Sequence, residues 1–176
     1  ILSKNKDYKT IIKKLYTHSK VKSEPVALII RKGTFLKYKD DNKKIKSNLL
    51  SREKALQIVY DNIPKKIPKV STTGMLSREL NELNAKYKTQ KNTFMCIGGM
   101  GHAISIASGI AFSKKSKVVC LDGDGAVLMH LGSLNAINYN KKVNFKHIIL
   151  NNKSHESVGG QKTYSEKNNF RLLSKS

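Results

Sequence analysis

At 176 residues, 39% of them hydrophobic, the chain can bury the core of one good-sized domain and a piece of another. No apolar run approaches the roughly 18 residues of a membrane span, which excludes a helical membrane protein. Lysine and arginine number 34 against 12 acidic residues, a formal net charge of +22, but the lysines run from Lys4 to Lys175 and the arginines are only Arg31, Arg52, Arg78 and Arg171; so diffuse a charge, poor in the forked side chain that reads bases, argues against a nucleic-acid partner.

The chain opens at Ile1 without the apolar core of a secretion signal and closes on NNFRLLSKS, and both ends are read as cut. Tyr8, Ile11, Ile12 and Leu15 at helical spacing predict a helix within residues 1–20, and PVALII (Pro25 to Ile30) predicts a short buried strand. The charged, aperiodic stretch 37–48 predicts an exposed linker and a domain boundary. Ser51 is placed to cap a helix with Glu53 in its first turn and Ala55, Leu56, Val59 and Tyr60 on one face, ending near Pro64. A strand at 68–72 then turns at Gly74 into a helix that buries Leu76, Leu80 and Leu83.

The alternation continues with a strand at 93–97, a helix from about His102 to Phe112, a strand at 117–121, a helix from about Val127 to Ile137 and a strand at 146–150. Strands that are continuous apolar runs and alternate with helices predict an α/β fold, a doubly wound parallel sheet with helices on both faces. Cys96 and Cys120 lie inside apolar runs, as reduced buried thiols do, which predicts a cytoplasmic protein.

In such a sheet, ligands bind at the carboxyl ends of the strands, where glycine turns let the backbone approach. Three turns qualify: Gly98-Gly99-Met100-Gly101, Asp122-Gly123-Asp124-Gly125 and Asn151-Asn152-Lys153-Ser154. Asp-Gly is a common turn pair and an Asn-Asn pair is unremarkable in this composition, so neither means much alone. Together, Gly123-Asp124-Gly125, then 25 residues, then Asn151-Asn152, on strand, helix and strand, resemble the thiamine diphosphate (ThDP) binding motif. The segments STTGMLSREL, LDGDGAVLMHLGSL and SHESVGGQ carry the resemblance further, to the ThDP-dependent decarboxylases of the phosphonopyruvate decarboxylase type, over about residues 51–165. Val158 stands where that family usually has threonine, which leaves the substrate more open than the cofactor.

The resemblance implies a Mg2+ ion held by Asp124, Asn152 and the backbone carbonyl of Ser154, and a diphosphate met by Gly123, Gly125 and Ala126. It implies that Gly98, Gly99 and Met100 hold the aminopyrimidine, with Met100 wedged under the cofactor rather than serving as core filler. His155 and Met100 are the candidate catalytic residues, His155 being read either as a substrate-facing group or as an exposed loop residue. His102 is a weaker candidate for contact with cofactor or substrate, while His130 and His147 are read as surface or packing residues.

By the same resemblance, residues 1–36 are the tail of an upstream pyrimidine-binding domain that carries the catalytic glutamate, 37–50 the linker, and 51–176 a diphosphate-binding domain cut at its C-terminus. The expected reaction is decarboxylation of a 2-oxo acid, 3-phosphonopyruvate to phosphonoacetaldehyde, in a homo-oligomer (dimer or tetramer) with the site at a subunit interface. This fragment alone would be inactive. Sulfopyruvate decarboxylase is the alternative within the class, and a basic, non-catalytic nucleotide- or nucleic-acid-binding module is the alternative outside it.

Overall fold

A computed structural model describes residues 7–35, 49–138 and 144–174. The chain divides into two compact units, Ile1–Ser47 and Asn48–Ser176. Most of the linker expected at 37–50 lies outside the described residues; Leu49 and Leu50, its last two, are exposed.

In the first unit, α1 (Tyr8–Lys22) starts where the Asp7 carboxylate accepts from the amides of Lys9 and Thr10, and stops at Ser23 in the left-handed region. It buries none of its residues. The strand expected at 25–30 does not form: residues 24–29 have no regular structure and Ile30 makes an isolated bridge. Val26, Ile29 and Ile30 are all exposed. An apolar run becomes a strand only where a neighbour supplies backbone partners and burial, and Pro25 offers no amide to a ladder.

The second unit opens with α2 (Arg52–Asn62), capped by Ser51 accepting from the Lys54 amide at 3.2 Å. Then come β1 (Lys69–Ser71), α3 (Met75–Tyr87), β2 (Thr93–Met95), α4 (Ala103–Lys114) and β3 (Val118–Gly123), followed by α5 (Asp124–Met129), α6 (Ser133–Asn138) and β4 (Phe145–Leu150). The four strands are all parallel, in the order β2-β1-β3-β4. Val118 and Cys120 of β3 face a core built on α4, with Val70, Ile104 and Ala107. Val119 and Leu121 face a second core built on α2 and α3, with Leu56, Tyr60, Leu76 and Leu80. Each fully buried aliphatic chain contributes about 1.5–3 kcal/mol, so a central strand covered on both faces anchors whatever its end carries.

One expected helix is two. The helix predicted from Val127 to Ile137 starts earlier, at Asp124, and breaks between Met129 and Ser133. The Gly98–Gly101 turn packs against the break: a Cβ on Gly101, whose φ is +86°, would lie 2.6 Å from His130 Nδ1 and 3.0 Å from the Ala126 carbonyl oxygen. His130, a C-cap outside the helical region (φ −133°, ψ 52°), and the poor helix former Gly132 complete the interruption. Beyond β4, a hairpin of β5 (Ser154–His155) and β6 (Gln161–Lys162) and a short helix α7 (Phe170–Leu173) were not expected.

The strand order has a functional consequence. From β1 the chain crosses through α3 to β2 on one side, then returns through α4 past β1 to β3 on the other. Successive connections therefore diverge at the ends of β1 and β3, and in open α/β sheets a crevice opens at that point.

Candidate functional site

A cleft of about 80 Å³ sits at this divergence, lined by Thr72, Thr73 and Gly74 after β1, Gly123–Ala126 after β3, and Leu150, Asn152 and Ser154–Ser157 after β4. Met75, Leu76, Arg52 and Met100 complete the wall. A roomier groove of about 570 Å³ between α2 and α3 is lined by Ser51, Glu53, Lys54, Gln57, Glu79, Glu82, Leu83 and Lys86. It meets no strand end and no glycine turn, so size alone does not mark the site.

The sheet register brings the two motif halves together. Gly123 and Leu150 are the last Cα partners of β3 and β4. Asp124 leaves β3 one residue beyond this pair and Asn152 leaves β4 two residues beyond it, so both side chains emerge at the same end of adjacent strands. Asp124 is 2% exposed, and its Oδ2 accepts from the Thr163 hydroxyl at 2.5 Å. Asn152 Oδ1 accepts from the Ser154 amide at 3.0 Å, and its Nδ2 donates to Glu156 Oε2 at 3.4 Å. The preceding Asn151 braces the loop from outside, accepting from the Lys153 amide at 3.1 Å and the Ser165 hydroxyl at 2.8 Å, with Lys153 turned through φ +59°.

Of the sequence candidates, Met100, Gly123, Asp124, Gly125, Ala126, Asn152, Ser154 and His155 line the cleft together. Gly98 and Gly99 do not. Gly98 is exposed and serves the turn through its φ of +79°, and Gly99 packs toward Cys96 Sγ. His155 lies over the first turn of α5, its Cε1 2.7 Å and its Nδ1 2.8 Å from where a Cβ on Gly125 would stand. It is half-buried against the site rather than free on a loop. His102 does not reach the cleft; it meets His130 edge to face, ring centroids 4.3 Å apart.

Other residues escaped the sequence. Thr163 reaches Asp124 across 39 positions because the β5–β6 hairpin folds back, which no local pattern announces. Thr72 is 3% exposed, and its hydroxyl is a buried polar atom without a partner, standing in the cleft wall. His147, expected only to pack, meets the fully buried Asp122, Nε2 to Oδ2 at 3.3 Å, while Asp122 Oδ1 accepts from the Gly123 amide at 3.1 Å. Cys120 adjoins this pair, and ligand atoms of the three residues lie within 4.8 Å of one another, outside the cleft lining. Burial foremost, then Asp122 and Cys96, push the Cys120 thiol far above its ordinary range, which makes it an inert core sulfur.

This donor set fits a magnesium-bound diphosphate. Asp124 and Asn152 offer the hard oxygens such an ion prefers, and it keeps its remaining positions for phosphate and water. The unpaired Thr72 hydroxyl is a donor in the same cleft wall. Small-molecule sites commonly run about 300–1,000 Å³, so the cleft suits the anionic end of a cofactor rather than a whole two-ring molecule.

Comparison with known proteins bears on the cofactor. Residues 72–174 match the family model described as "Thiamine pyrophosphate enzyme, C-terminal TPP binding domain". The chain is 39% identical over 115 residues to a phosphonopyruvate decarboxylase of Streptomyces viridochromogenes, covering 65% of this chain and 28% of that one. It is 38% identical over 110 residues to the sulfopyruvate decarboxylase subunit beta of Methanocaldococcus jannaschii, covering 62% of this chain and 56% of the relative. A second subunit beta, from Methanococcus maripaludis, is 36% identical over 116 residues, covering 66% of this chain and 60% of the relative. The chain thus spans well under a third of one relative and little more than half of the others. With a family model matched over more than half its length, the chain belongs to the thiamine pyrophosphate enzymes and carries their C-terminal TPP-binding domain.

Proposed function

We propose that this domain binds ThDP through Mg2+ for the decarboxylation of a 2-oxo acid bearing a strongly anionic group, 3-phosphonopyruvate first. The observation that carries the reading is the meeting of Asp124 and Asn152 in one cleft beside the unpaired Thr72 hydroxyl. The Asp124 carboxylate, the Asn152 amide oxygen and the Ser154 carbonyl hold the ion. The Gly123–Ala126 turn meets the diphosphate, its glycines letting the backbone approach closely. Met100 supports the cofactor from below, and Gly98 and Gly99 meet its pyrimidine ring outside the cleft lining. His155, lying over Gly125, faces the metal end of the site and excludes water there. When bound, the cofactor supplies a nucleophilic carbon and an electron sink for loss of carbon dioxide.

The pyrimidine half of the site comes from another domain, of which residues 1–36 are the tail, and the assembled enzyme is a cytoplasmic homo-oligomer with sites at subunit interfaces. No described helix is long and apolar enough to cross a membrane. Sulfopyruvate is the second substrate reading, favoured by two relatives that carry that name at similar identity.

Asp124→Asn tests the cofactor site. Mg2+-dependent ThDP binding, followed by calorimetry, should vanish while the fold survives, and undiminished binding would remove the assignment. Offering 3-phosphonopyruvate and sulfopyruvate to the assembled enzyme, and identifying the aldehyde released, separates the two substrates.

A further inference from the structure

Arg52 is the first residue of α2, and its guanidinium is shared between two carboxylates on different elements. Nε and Nη2 donate to Oε2 and Oε1 of Glu79 on α3, at 2.8 and 2.6 Å, a two-pronged pairing. Nη1 donates to Glu156 Oε2 at 2.5 Å, across 104 positions of sequence. The same Glu156 oxygen accepts from Asn152 Nδ2 at 3.4 Å. Glu79 and the Arg52 side chain are mostly buried, at 12% and 22% exposed, whereas Glu156 is 57% exposed. Glu79 foremost pushes the guanidinium above its already high range, with Glu156 adding to the rise and burial opposing it.

An asparagine amide can bind a cation through only one of its ends. Rotated by half a turn, Asn152 would present its NH2 group, a donor pair that repels a metal. Two contacts fix the rotation: the Ser154 amide donates to the oxygen at 3.0 Å, and Glu156 accepts from the nitrogen at 3.4 Å. An exposed glutamate left to solvent would sample many rotamers, and Arg52 holds this one. Arg52 is in turn seated on Glu79, on the helical layer that packs over β3.

We infer that Arg52 is a positioning residue for the metal loop: the relay Glu79–Arg52–Glu156–Asn152 locks the Asn152 amide with its oxygen toward the ion. The inference rests on the cofactor reading above and extends it to a residue 100 positions upstream of the loop it governs. Lysine cannot replace this arginine fully, because one ammonium does not span two carboxylates with three coplanar donors.

The experiment, on the assembled enzyme, compares wild type with Arg52→Gln, Arg52→Lys, Glu156→Ala and the Arg52→Gln/Glu156→Ala double variant. Calorimetry with Mg2+ and ThDP gives the affinities, and hydrogen exchange in the absence of both reads the Ser154 amide, which Asn152 Oδ1 holds. Partners behind metal ligands are typically worth about 10–100-fold in affinity, so Arg52→Gln and Glu156→Ala should each weaken Mg2+-dependent binding about tenfold. Arg52→Lys should recover part of the loss. The double variant should be no worse than the poorer single variant, since both cut one relay, and Ser154 should exchange faster in every variant. Because Glu156 is exposed, its removal probes the relay without risking the fold. If wild type binds ThDP and Arg52→Gln binds within twofold of it, or if Ser154 exchange is unchanged, the relay is refuted while the cofactor reading stands. Absence of Mg2+-dependent binding in the wild type overturns the cofactor reading and the relay's purpose with it, even where Ser154 exchange responds.

Discussion

The His155 ring occupies the space that any side chain on residue 125 would need, its Cε1 2.7 Å from the position of that Cβ. Gly125→Ala therefore displaces His155, a movable ring, rather than backbone. Alanine is the better helix former by about 1 kcal/mol, which offsets the crowding, so the variant should fold with a melting temperature near that of the wild type. Its His155 ring resonances should shift, and Mg2+-dependent ThDP binding should weaken at least several-fold. Unchanged resonances would mean that His155 does not lie over α5.

The Thr72 hydroxyl is buried without a partner. An unsatisfied buried hydroxyl costs about 1–3 kcal/mol, so Thr72→Val should leave the apo chain as stable as the wild type or more so. The same change removes a donor from the cleft and should weaken binding of the cofactor, or of inorganic pyrophosphate as a probe, while Thr72→Ser retains it. Denaturant titration and calorimetry separate the two effects; a loss of apo stability in Thr72→Val would show that the hydroxyl has a partner after all.

Asp122 is fully buried, and His147 Nε2 lies 3.3 Å from its Oδ2. Removing the imidazole leaves a buried oxygen without its partner at a cost of about 1–3 kcal/mol, so His147→Leu should lower stability. Adding Asp122→Asn replaces the stranded carboxyl with an amide, and the double variant should recover part of the loss. Strict additivity in a double-mutant cycle would show that the two side chains do not interact.

Lys69 is 1% exposed; its ammonium donates to the Ile67 carbonyl at 3.1 Å and lies over the Tyr60 ring. Burial pushes its pKa below the ordinary 10.5. Below the folded value both states are charged, and the full cost of burying the charge is present. Between the folded value and 10.5 the unfolded chain binds more protons, so this group's contribution to stability rises with pH. Lys69→Met should then be more stable than the wild type at neutral pH, with the gap closing as pH approaches 10.5. A gap independent of pH would place the amine in solvent.

The parallel sheet was legible because its strands are continuous apolar runs and its helices show one buried face, as Leu76 and Leu80 do on α3. The Asp124 and Asn152 halves were legible because glycine and asparagine turns directly follow two such strands. The exceptions have physical causes. The run at 25–30 has the composition of a strand but no covering neighbour among the described residues of its unit. The break after Met129 lies against a distant glycine turn, and sequence spacing is blind to such a contact. Thr163, Arg52 and Thr72 act through long-range geometry: a hairpin that folds back, a guanidinium shared across elements, a hydroxyl left without a mate.

The terminal Gly123–Leu150 pairing also says what this site can tolerate. Because the ladder, and not the 25-residue interval between the motif halves, aligns Asp124 with Asn152, insertions between α6 and β4, away from the Asp124–Ala126 turn, should be nearly silent. A slip of β4 by a single residue would instead turn every side chain on that strand to the opposite face. Length in that segment is thus expendable, while the pairing at the strand tips has no such latitude.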